Sequence, residues 1–167
     1  EYFERMVEVI FEYEGTLDKF VGDEIMALFG APVAPPDDAY PAVKTALEMK
    51  DALAQFNRER REAGQQEINI GIGVNTRECV AGYLGSSKAL EYSVIGDTVN
   101  TGARLCSIAK AGEIIISEST HALVQDFFEV VELPPTQVKG KSRALKIFNV
   151  VGEKRGGAFG VEHTRPA

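Results

Sequence analysis

The stretch Gly15-Thr-Leu-Asp-Lys-Phe-Val-Gly-Asp-Glu24 decides the fold of this chain. A glycine-bearing turn between two short apolar runs predicts a β-hairpin, with strands at about Thr16–Val21 and Ile25–Phe29. The hairpin carries a base, Lys19, on its entering strand and an acid, Asp23, at its turn. Spacing alone leaves open a turn aspartate that only stabilises its own hairpin.

A second segment, Tyr92-Ser-Val-Ile-Gly-Asp-Thr-Val-Asn-Thr-Gly-Ala-Arg104, predicts a turn that runs into a helix over about Thr98–Ala109. Asn100 and Arg104 are four positions apart, so both project from one face of that helix. An amide and a guanidinium on one face, with the lysine and the carboxylate of the hairpin, suit a polyphosphate ligand with a metal ion. An ordinary solvated helix face is the alternative that the spacing leaves open.

The rest of the chain alternates helical and extended patterns. Apolar residues at helical spacing predict a first helix that ends at Gly15 and a long second helix that ends near Arg61. Isoleucine alternating with glycine or asparagine predicts a strand over Ile68–Val74, one face of which is very bare of side chains. The remaining predicted elements are strands at Glu78–Gly85, Glu113–Ser117, Phe128–Glu132 and Lys146–Val151 and a short helix at Ser119–Gln125. This order fits an α+β fold with helices on one side of a mainly antiparallel sheet.

The composition is that of one ordinary globular domain of 167 residues with a formal net charge of −7. The acidic balance argues against a nucleic-acid-binding surface, although a few placed cations and a metal can still dominate a local anion site. Cys79 and Cys106 show no metal-ligand spacing and indicate reduced thiols in a cytoplasmic domain. Because no apolar run approaches the ~20 residues of a membrane span, we expect no direct membrane insertion.

Three motifs in order make the chain resemble the class III nucleotidyl cyclase catalytic domain: Leu17-Asp-Lys-Phe-Val-Gly-Asp23, Tyr92-Ser-Val-Ile-Gly-Asp-Thr-Val-Asn100 and Val138-Lys-Gly-Lys141. The resemblance covers residues 1–152, and the glycine-rich, charged residues 153–167 are expected to form a mobile tail. It implies a ferredoxin-like core, with an antiparallel-rich sheet and helices packed on it. It also implies conversion of ATP to cyclic AMP and pyrophosphate, by two-metal-assisted attack of the ribose 3′-hydroxyl on the α-phosphate.

The resemblance assigns three residues to metal and base recognition. Asp23 matches an aspartate that bridges two divalent ions, Mg²⁺ or Mn²⁺, in the family. Lys19 matches a base-reading position, and a lysine donor suits adenine N1 better than the N1–H and 2-amino donors of guanine. Ser93 matches the second base-reading position, where a hydroxyl can accept from the adenine 6-amino group. A solvated edge lysine and a turn serine are the plainer alternatives.

The resemblance assigns the ribose and the phosphates to other residues. Asn100 holds the ribose in attack geometry, and Arg104 neutralises phosphate charge that develops in the transition state. Lys139 matches a lysine that binds the triphosphate, and Lys141 takes this role if the register slips by two residues. A solvated Lys-Gly-Lys loop is the alternative interpretation of this segment. The glycine-bearing face of Ile70–Val74 is expected to let the backbone approach the nucleotide.

The resemblance further implies a two-fold homodimer whose chains pack head to tail and share two sites. One chain contributes the metal carboxylates, and its partner contributes the base-reading lysine, the asparagine and the arginine. The family's first strand, which carries a second metal aspartate, has no counterpart in this sequence. We therefore expect negligible turnover by the isolated chain, a weak dimer, and upstream sensor or regulatory domains in a longer parent protein.

Other functions remain possible at this point. A guanylyl cyclase shares the same motifs, and a non-catalytic or regulatory nucleotide-binding or dimerisation domain is favoured by the missing aspartate. Val21-Gly-Asp-Glu-Ile25 also resembles part of the Gly-Gly-Asp-Glu-Phe signature of diguanylate cyclases. The first Gly and the Phe of that signature are absent, and the helix with Asn100 and Arg104 belongs to the other family.

Overall fold

A computed structural model describes residues 2–30, 39–76, 80–86, 89–95, 97–138 and 143–154. Within these ranges Lys19, Val21, Asp97 and the strands over 80–86 and 89–95 are described through their backbone alone. In chain order the elements are α1 (Tyr2–Glu12), β1 (Thr16–Val21), β2 (Glu24–Leu28), α2 (Ala39–Glu62), β3 (Ile72–Val74), β4 (Val80–Ser86), β5 (Ala89–Ile95), α3 (Asp97–Ile108), β6 (Ile114–Ser117), α4 (Glu118–Val124), β7 (Phe128–Thr136) and β8 (Leu145–Glu153).

The described strands form one larger sheet and two hairpins. The four-stranded sheet has the order β3-β6-β8-β7, with β3 parallel to β6 and the other pairs antiparallel. The hairpins β1–β2 and β4–β5 each form a two-stranded antiparallel sheet. The antiparallel-rich α+β class expected from the sequence is therefore confirmed.

Both faces of the four-stranded sheet are covered, as β6 shows most clearly. Ile114, Ile115 and Ile116 are each at most 1% exposed, because alternate residues of a strand face opposite sides and both sides are buried here. One face packs Ile114 and Ile116 against α2 and α4, and the other packs Ile115 against Leu105 of α3. The expectation of helices on one side only was wrong, since α3 lies opposite α2 and α4.

A second core lies against the β1–β2 hairpin. Met6 of α1 packs with Leu53 and Phe56 of α2, and Ile25 of β2 joins them at its edge. The C-terminal half of α2 thus holds the hairpin in place, while its N-terminal half packs on the sheet. One long helix therefore connects the hairpin to the rest of the fold.

The strand β3 is shorter than the sequence predicts. Its pairing with β6 begins at Ile72, and residues 65–71 form no strand. The backbone of Ile68 is held instead by Asn57 of α2, whose amide donates to the Ile68 carbonyl (2.7 Å) and accepts from the Ile68 N–H (2.8 Å). A side-chain amide here satisfies the backbone groups that a neighbouring strand would otherwise pair.

The strand β5 was missed, because the segment that begins at Tyr92 predicts a turn. In the structure β5 pairs with β4 along its whole length, from Val80 opposite Ile95 to Ser86 opposite Ala89. The alternation of Leu90, Tyr92 and Val94 with smaller or polar residues was the available signal.

The C-terminal end of the described chain remains paired beyond the expected boundary at 152. The strand β8 runs to Glu153, and the Lys154 N–H donates to the Phe127 carbonyl at 2.9 Å. The rest of the expected tail, residues 155–167, lies outside the described residues. None of the described helices combines the length and the hydropathy that crossing a bilayer requires.

Candidate active site

Asp23 lies at the tip of the β1–β2 hairpin, where it is exposed. Val21 pairs with Glu24 across a two-residue turn. Gly22 takes a φ of 61° in this turn, a left-handed conformation that glycine adopts without steric cost. The hairpin therefore presents a carboxylate to solvent from a position fixed by strand pairing on both sides.

The helix α3 displays Asn100 and Arg104 on its outward face. Both residues are exposed, whereas Thr101 and Leu105, each one position further along, are 4% and 0% exposed. The amide and the guanidinium thus lie one helical turn apart and point away from the core, as the spacing predicts. Two exposed hydrogen-bond donors of this kind suit an anionic ligand.

The bare face of β3 serves helix packing. A Cβ added to Gly73 would lie 2.8 Å from the Gly102 carbonyl oxygen of α3, and one added to Gly71 would lie 2.7 Å from the Ala109 Cβ. The helix α3 therefore lies directly on these glycines, and the expectation that they leave room for a nucleotide was wrong. Their smallness instead sets how closely α3 approaches the sheet.

Acidic residues of the β1–β2 turn contribute to two raised pKa values, at Cys106 of α3 and at Tyr2 of α1. Burial raises the pKa of the Cys106 thiol, and the charge of Glu24 raises it further. Burial likewise raises the pKa of the Tyr2 phenol, with smaller contributions from Asp23 and Cys106. Cys106 lies about 200° around the helix from Arg104, on the side of α3 that faces β3.

The two strands that carry the predicted base-reading residues lie in contact. Lys19 belongs to β1 and Ser93 to β5, and β1 contacts β5. The register of β1 shifts between Leu17 and Lys19, and such bulges are common beside active sites. The helix α3 also contacts β5. The triphosphate candidates Lys139 and Lys141 lie outside the described residues.

The donor set for a divalent ion is incomplete in the described part of the chain. An exposed carboxylate such as that of Asp23 suits Mg²⁺ or Mn²⁺, which prefer oxygen ligands. The described residues include no group of three or more His, Cys, Asp or Glu side chains placed to hold a metal ion. Asp23 therefore fits one ligand position and does not form a metal site by itself.

A polar cluster at the end of β3, which the motifs do not indicate, contacts the start of α3. Asn75 donates from Nδ2 to the Thr98 carbonyl (3.0 Å), and its Oδ1 accepts from the Ser117 hydroxyl (2.7 Å). The hydroxyls of Thr76 and Thr120 hydrogen-bond at 2.9 Å. Small polar residues directly after two predicted strands were the available signal.

Comparison with known proteins identifies the domain. The family described as the adenylate and guanylate cyclase catalytic domain matches this chain over residues 1–152. The chain belongs to this family. The cyclase domain is 34% identical over 157 residues to Adenylate cyclase 1 of Rhizobium meliloti (strain 1021), with 93% of this chain and 24% of that protein covered. The chain thus spans about a quarter of the length of this curated relative.

Solved cyclase structures share the fold of the domain. The guanylyl cyclase Cya2 superposes with a TM-score of 0.86 at 39% identity, over 93% of this chain and 79% of that chain. The adenylyl cyclase CyaB from P. aeruginosa gives a TM-score of 0.83 at 33% identity, over 92% of this chain and 80% of that chain. The chain is therefore a class III nucleotide cyclase catalytic domain, as the three sequence motifs predict.

Proposed function

We propose that the cyclase domain converts ATP to cyclic AMP and pyrophosphate, in a homodimer whose two sites are shared between chains. The observation that most supports ATP as the substrate is the contact of β1 with β5, because it supports a joint role of Lys19 and Ser93 in binding the base. A lysine amine donates and suits adenine N1, and a serine hydroxyl can accept from the 6-amino group. Two similar proteins, one from R. meliloti and one from P. aeruginosa, are named as adenylate or adenylyl cyclases.

GTP is the second candidate substrate. It is favoured by the 39% identity and the TM-score of 0.86 to a guanylyl cyclase. The residue type at position 19 opposes it, because guanine presents donors at N1 and at its 2-amino group where a lysine also donates. We therefore rank GTP below ATP.

Asn100 and Arg104 act on the ribose and the phosphates from the outward face of α3. The Asn100 amide orients the ribose so that its 3′-hydroxyl lines up with the α-phosphorus. The Arg104 guanidinium stabilises negative charge that grows on the phosphates in the transition state. Lys139, or Lys141 if the register slips, neutralises the triphosphate from the segment between β7 and β8.

Asp23 is the residue of this chain that would hold Mg²⁺ or Mn²⁺. Such ions, when bound, lower the pKa of the attacking hydroxyl and take charge on the leaving pyrophosphate. Asp23 can serve because its carboxylate is exposed at a fixed turn. Substrate phosphates and a second carboxylate from outside the described residues would complete the oxygen ligands.

The exposure of the predicted site residues supports a site shared between chains. Within one chain Asp23 is exposed at the hairpin tip, and Asn100 and Arg104 are exposed on the outward face of α3. A two-fold, head-to-tail pair would bring Asp23 of one chain to the outward face of α3 of the other. Two equivalent sites follow, each with its base-reading and phosphate-binding residues from one chain and its metal carboxylate from the partner.

The proposal is tested by cyclic nucleotide formation with Mn²⁺ and either ATP or GTP, in this chain and in a version of it extended upstream. Lys19→Glu is expected to lower ATP turnover by about tenfold or more, because a donor to the base is replaced by an acceptor. The control Lys50→Glu reverses an exposed charge on α2 and should leave turnover unchanged. Cyclic GMP as the main wild-type product would select the second candidate, and ATP binding without turnover would assign a non-catalytic nucleotide-binding domain.

A further inference from the structure

We propose that Asn75 is a positioning residue that fixes the first turn of α3, and through it the placement of Asn100 and Arg104 on the substrate. This inference rests on the proposed function, since it concerns the same helix face. Asn75 itself lies on the side of α3 that faces the sheet, opposite to Asn100 and Arg104. It is therefore placed to act on the helix rather than on the nucleotide.

The parallel pairing of β3 with β6 brings Asn75 beside Ser117. Val74 pairs with Ile116, so Asn75, the residue after β3, lies beside Ser117, the last residue of β6. The Ser117 hydroxyl donates to Asn75 Oδ1 at 2.7 Å, and the Ser119 hydroxyl approaches the same oxygen at 3.4 Å. The side-chain oxygen of Asn75 is therefore directed toward β6 and the start of α4.

The side-chain nitrogen of Asn75 is then directed toward α3. Asn75 Nδ2 donates to the Thr98 carbonyl at 3.0 Å. Because a carbonyl can only accept, the amide nitrogen must face α3 and the amide oxygen must face Ser117. Both contacts together fix one orientation of the side chain.

Asn75 contacts α3 at the Thr98 carbonyl and lies close to Gly102, one helical turn further along. A Cβ added to Gly102 would lie 3.8 Å from the Asn75 Cβ. Asn100 lies between these two points in sequence and on the outward side of the helix. A tilt or slide of the first turn of α3 would therefore move Asn100 directly.

The cluster behind Asn75 is buried and well connected. Ser117 caps α4 by accepting from the Thr120 N–H, and Thr120 is 0% exposed. The Thr120 hydroxyl lies 2.9 Å from that of Thr76 and 3.1 Å from that of Ser117. Hydrogen bonds in such a low-dielectric setting hold their partners in place, so Asn75 is anchored where it contacts α3.

Two substitutions of the same kind separate positioning from general stability. Asn75→Asp keeps the acceptor for Ser117 and removes the donor to Thr98. Asn57→Asp is the matched control, because Asn57 is also partly buried and also donates to a backbone carbonyl, that of Ile68 at 2.7 Å. Both variants are expected to lower stability to a similar extent, but only the first loosens α3.

Hydrogen exchange on the chain itself gives a readout that does not need activity. Asn75→Asp is expected to speed exchange of the amides of residues 101–104 in α3 by about tenfold, the effect of losing one buried hydrogen bond of typical strength. The first four amides of the helix are not used, because they lack partners within the helix. Asn57→Asp should leave α3 exchange at the wild-type rate. Unchanged exchange of α3 in Asn75→Asp would overturn the proposal whatever the kinetics show.

Steady-state kinetics of the full-length protein tests the catalytic consequence. Asn75→Asp is expected to lower kcat about tenfold while KM for ATP stays within about twofold, because misplacement of Asn100 and Arg104 is felt mainly in the transition state. Equal losses in Asn57→Asp would contradict a positioning role.

Arg104→Ala separates the failure of this inference from that of the proposed function. If Arg104→Ala leaves turnover unchanged, the assignment of α3 to catalysis fails. If Arg104→Ala abolishes turnover and Asn75→Asp does not change kcat, the proposed function stands and the positioning role fails.

Discussion

At the scale of single residues, Thr45 carries a clear energetic penalty. It is 2% exposed on α2, and its hydroxyl has no hydrogen-bond partner among the described residues. A buried hydroxyl without a partner costs about 1–3 kcal/mol. Thr45→Val replaces it with a methyl group of similar shape and is expected to raise the free energy of unfolding by about 1 kcal/mol. Urea unfolding at constant m-value measures the change.

Thr120→Val is the matched control for this prediction. Thr120 is equally buried, but its hydroxyl lies 2.9 Å from the Thr76 hydroxyl. The same substitution should therefore lower the free energy of unfolding, by about 1–2 kcal/mol, because it leaves polar partners unpaired. A stabilisation in both variants would mean that the hydrogen bonds of these hydroxyls do not decide the outcome.

At the scale of elements, the approach of α3 to β3 depends on a missing side chain. A Cβ at Gly73 would meet the Gly102 carbonyl oxygen at 2.8 Å and the Leu105 carbonyl carbon at 2.9 Å. Because these are backbone atoms of a packed helix, they move only with the helix. Gly73→Ala is expected to lower the free energy of unfolding by about 1–3 kcal/mol and to reduce turnover as α3 shifts. Chemical denaturation and kcat measured on the same preparation test both effects.

Gly152→Ala provides the comparison for Gly73→Ala. Gly152 also lies in a strand, β8, but a Cβ there would meet nothing within 4 Å. Its substitution should change stability by less than about 0.5 kcal/mol. A similar loss of stability in both variants would mean that any strand glycine is costly to replace. The contact with α3 would then not explain the effect at Gly73.

Apart from β5, which was missed, the order of elements follows from the sequence, whereas their contacts do not. Turn chemistry and helical period are local properties. They are sufficient to predict the hairpin that begins at Thr16 and the helix face shared by Asn100 and Arg104. The clamp of Asn57 on Ile68 and the contact of Asn75 with Thr98 join residues 11 and 23 positions apart. No local pattern marks such pairs, since they depend on which strands become neighbours.

The bare face of β3 illustrates the same limit. Glycines at positions 71 and 73 predict a close approach of something to the strand. The sequence cannot distinguish a ligand from a helix as the approaching group. Only the parallel placement of β3 beside β6 shows that α3 occupies this space.

At the scale of the whole molecule, shared sites predict complementation between inactive variants. In full-length protein, Asp23→Asn and Arg104→Ala are each expected to abolish turnover when present alone. A mixed dimer would hold one site with both residues intact and one with neither. An equal mixture should therefore recover about a quarter of wild-type activity. Absence of recovery after confirmed subunit exchange would place both residues in one chain's own site.

An ion pair connects the last strand to α2 and gives stability a dependence on pH. Lys44 pairs with Glu153 at the end of β8 and with Glu48 at 3.4 Å. Burial by itself would lower the pKa of Lys44, but its hydrogen bond to Glu153 and the nearby carboxylate charges raise it above its ordinary value of 10.5. The stabilisation is therefore fully present below that value and is lost as pH rises through the higher folded-state pKa.

Glu153→Gln tests this pH dependence. The variant is expected to be less stable than wild type near neutral pH, and the difference should close once the lysine is deprotonated in both states. Urea unfolding midpoints from about pH 7 to about pH 11.5 measure it. The control Glu132→Gln alters an exposed carboxylate of β7 and should show no such convergence with wild type.

The length of α2 has a consequence for cooperativity. Its 24 residues span about 36 Å, with Val43 and Ala46 in the core on the sheet and Leu53 and Phe56 in the core under the hairpin. Because α2 packs in both cores, loss of packing in either core would expose an apolar face of this helix. The hairpin that carries Asp23 therefore melts together with the sheet and not ahead of it, so heat removes the candidate active site and the fold in a single transition.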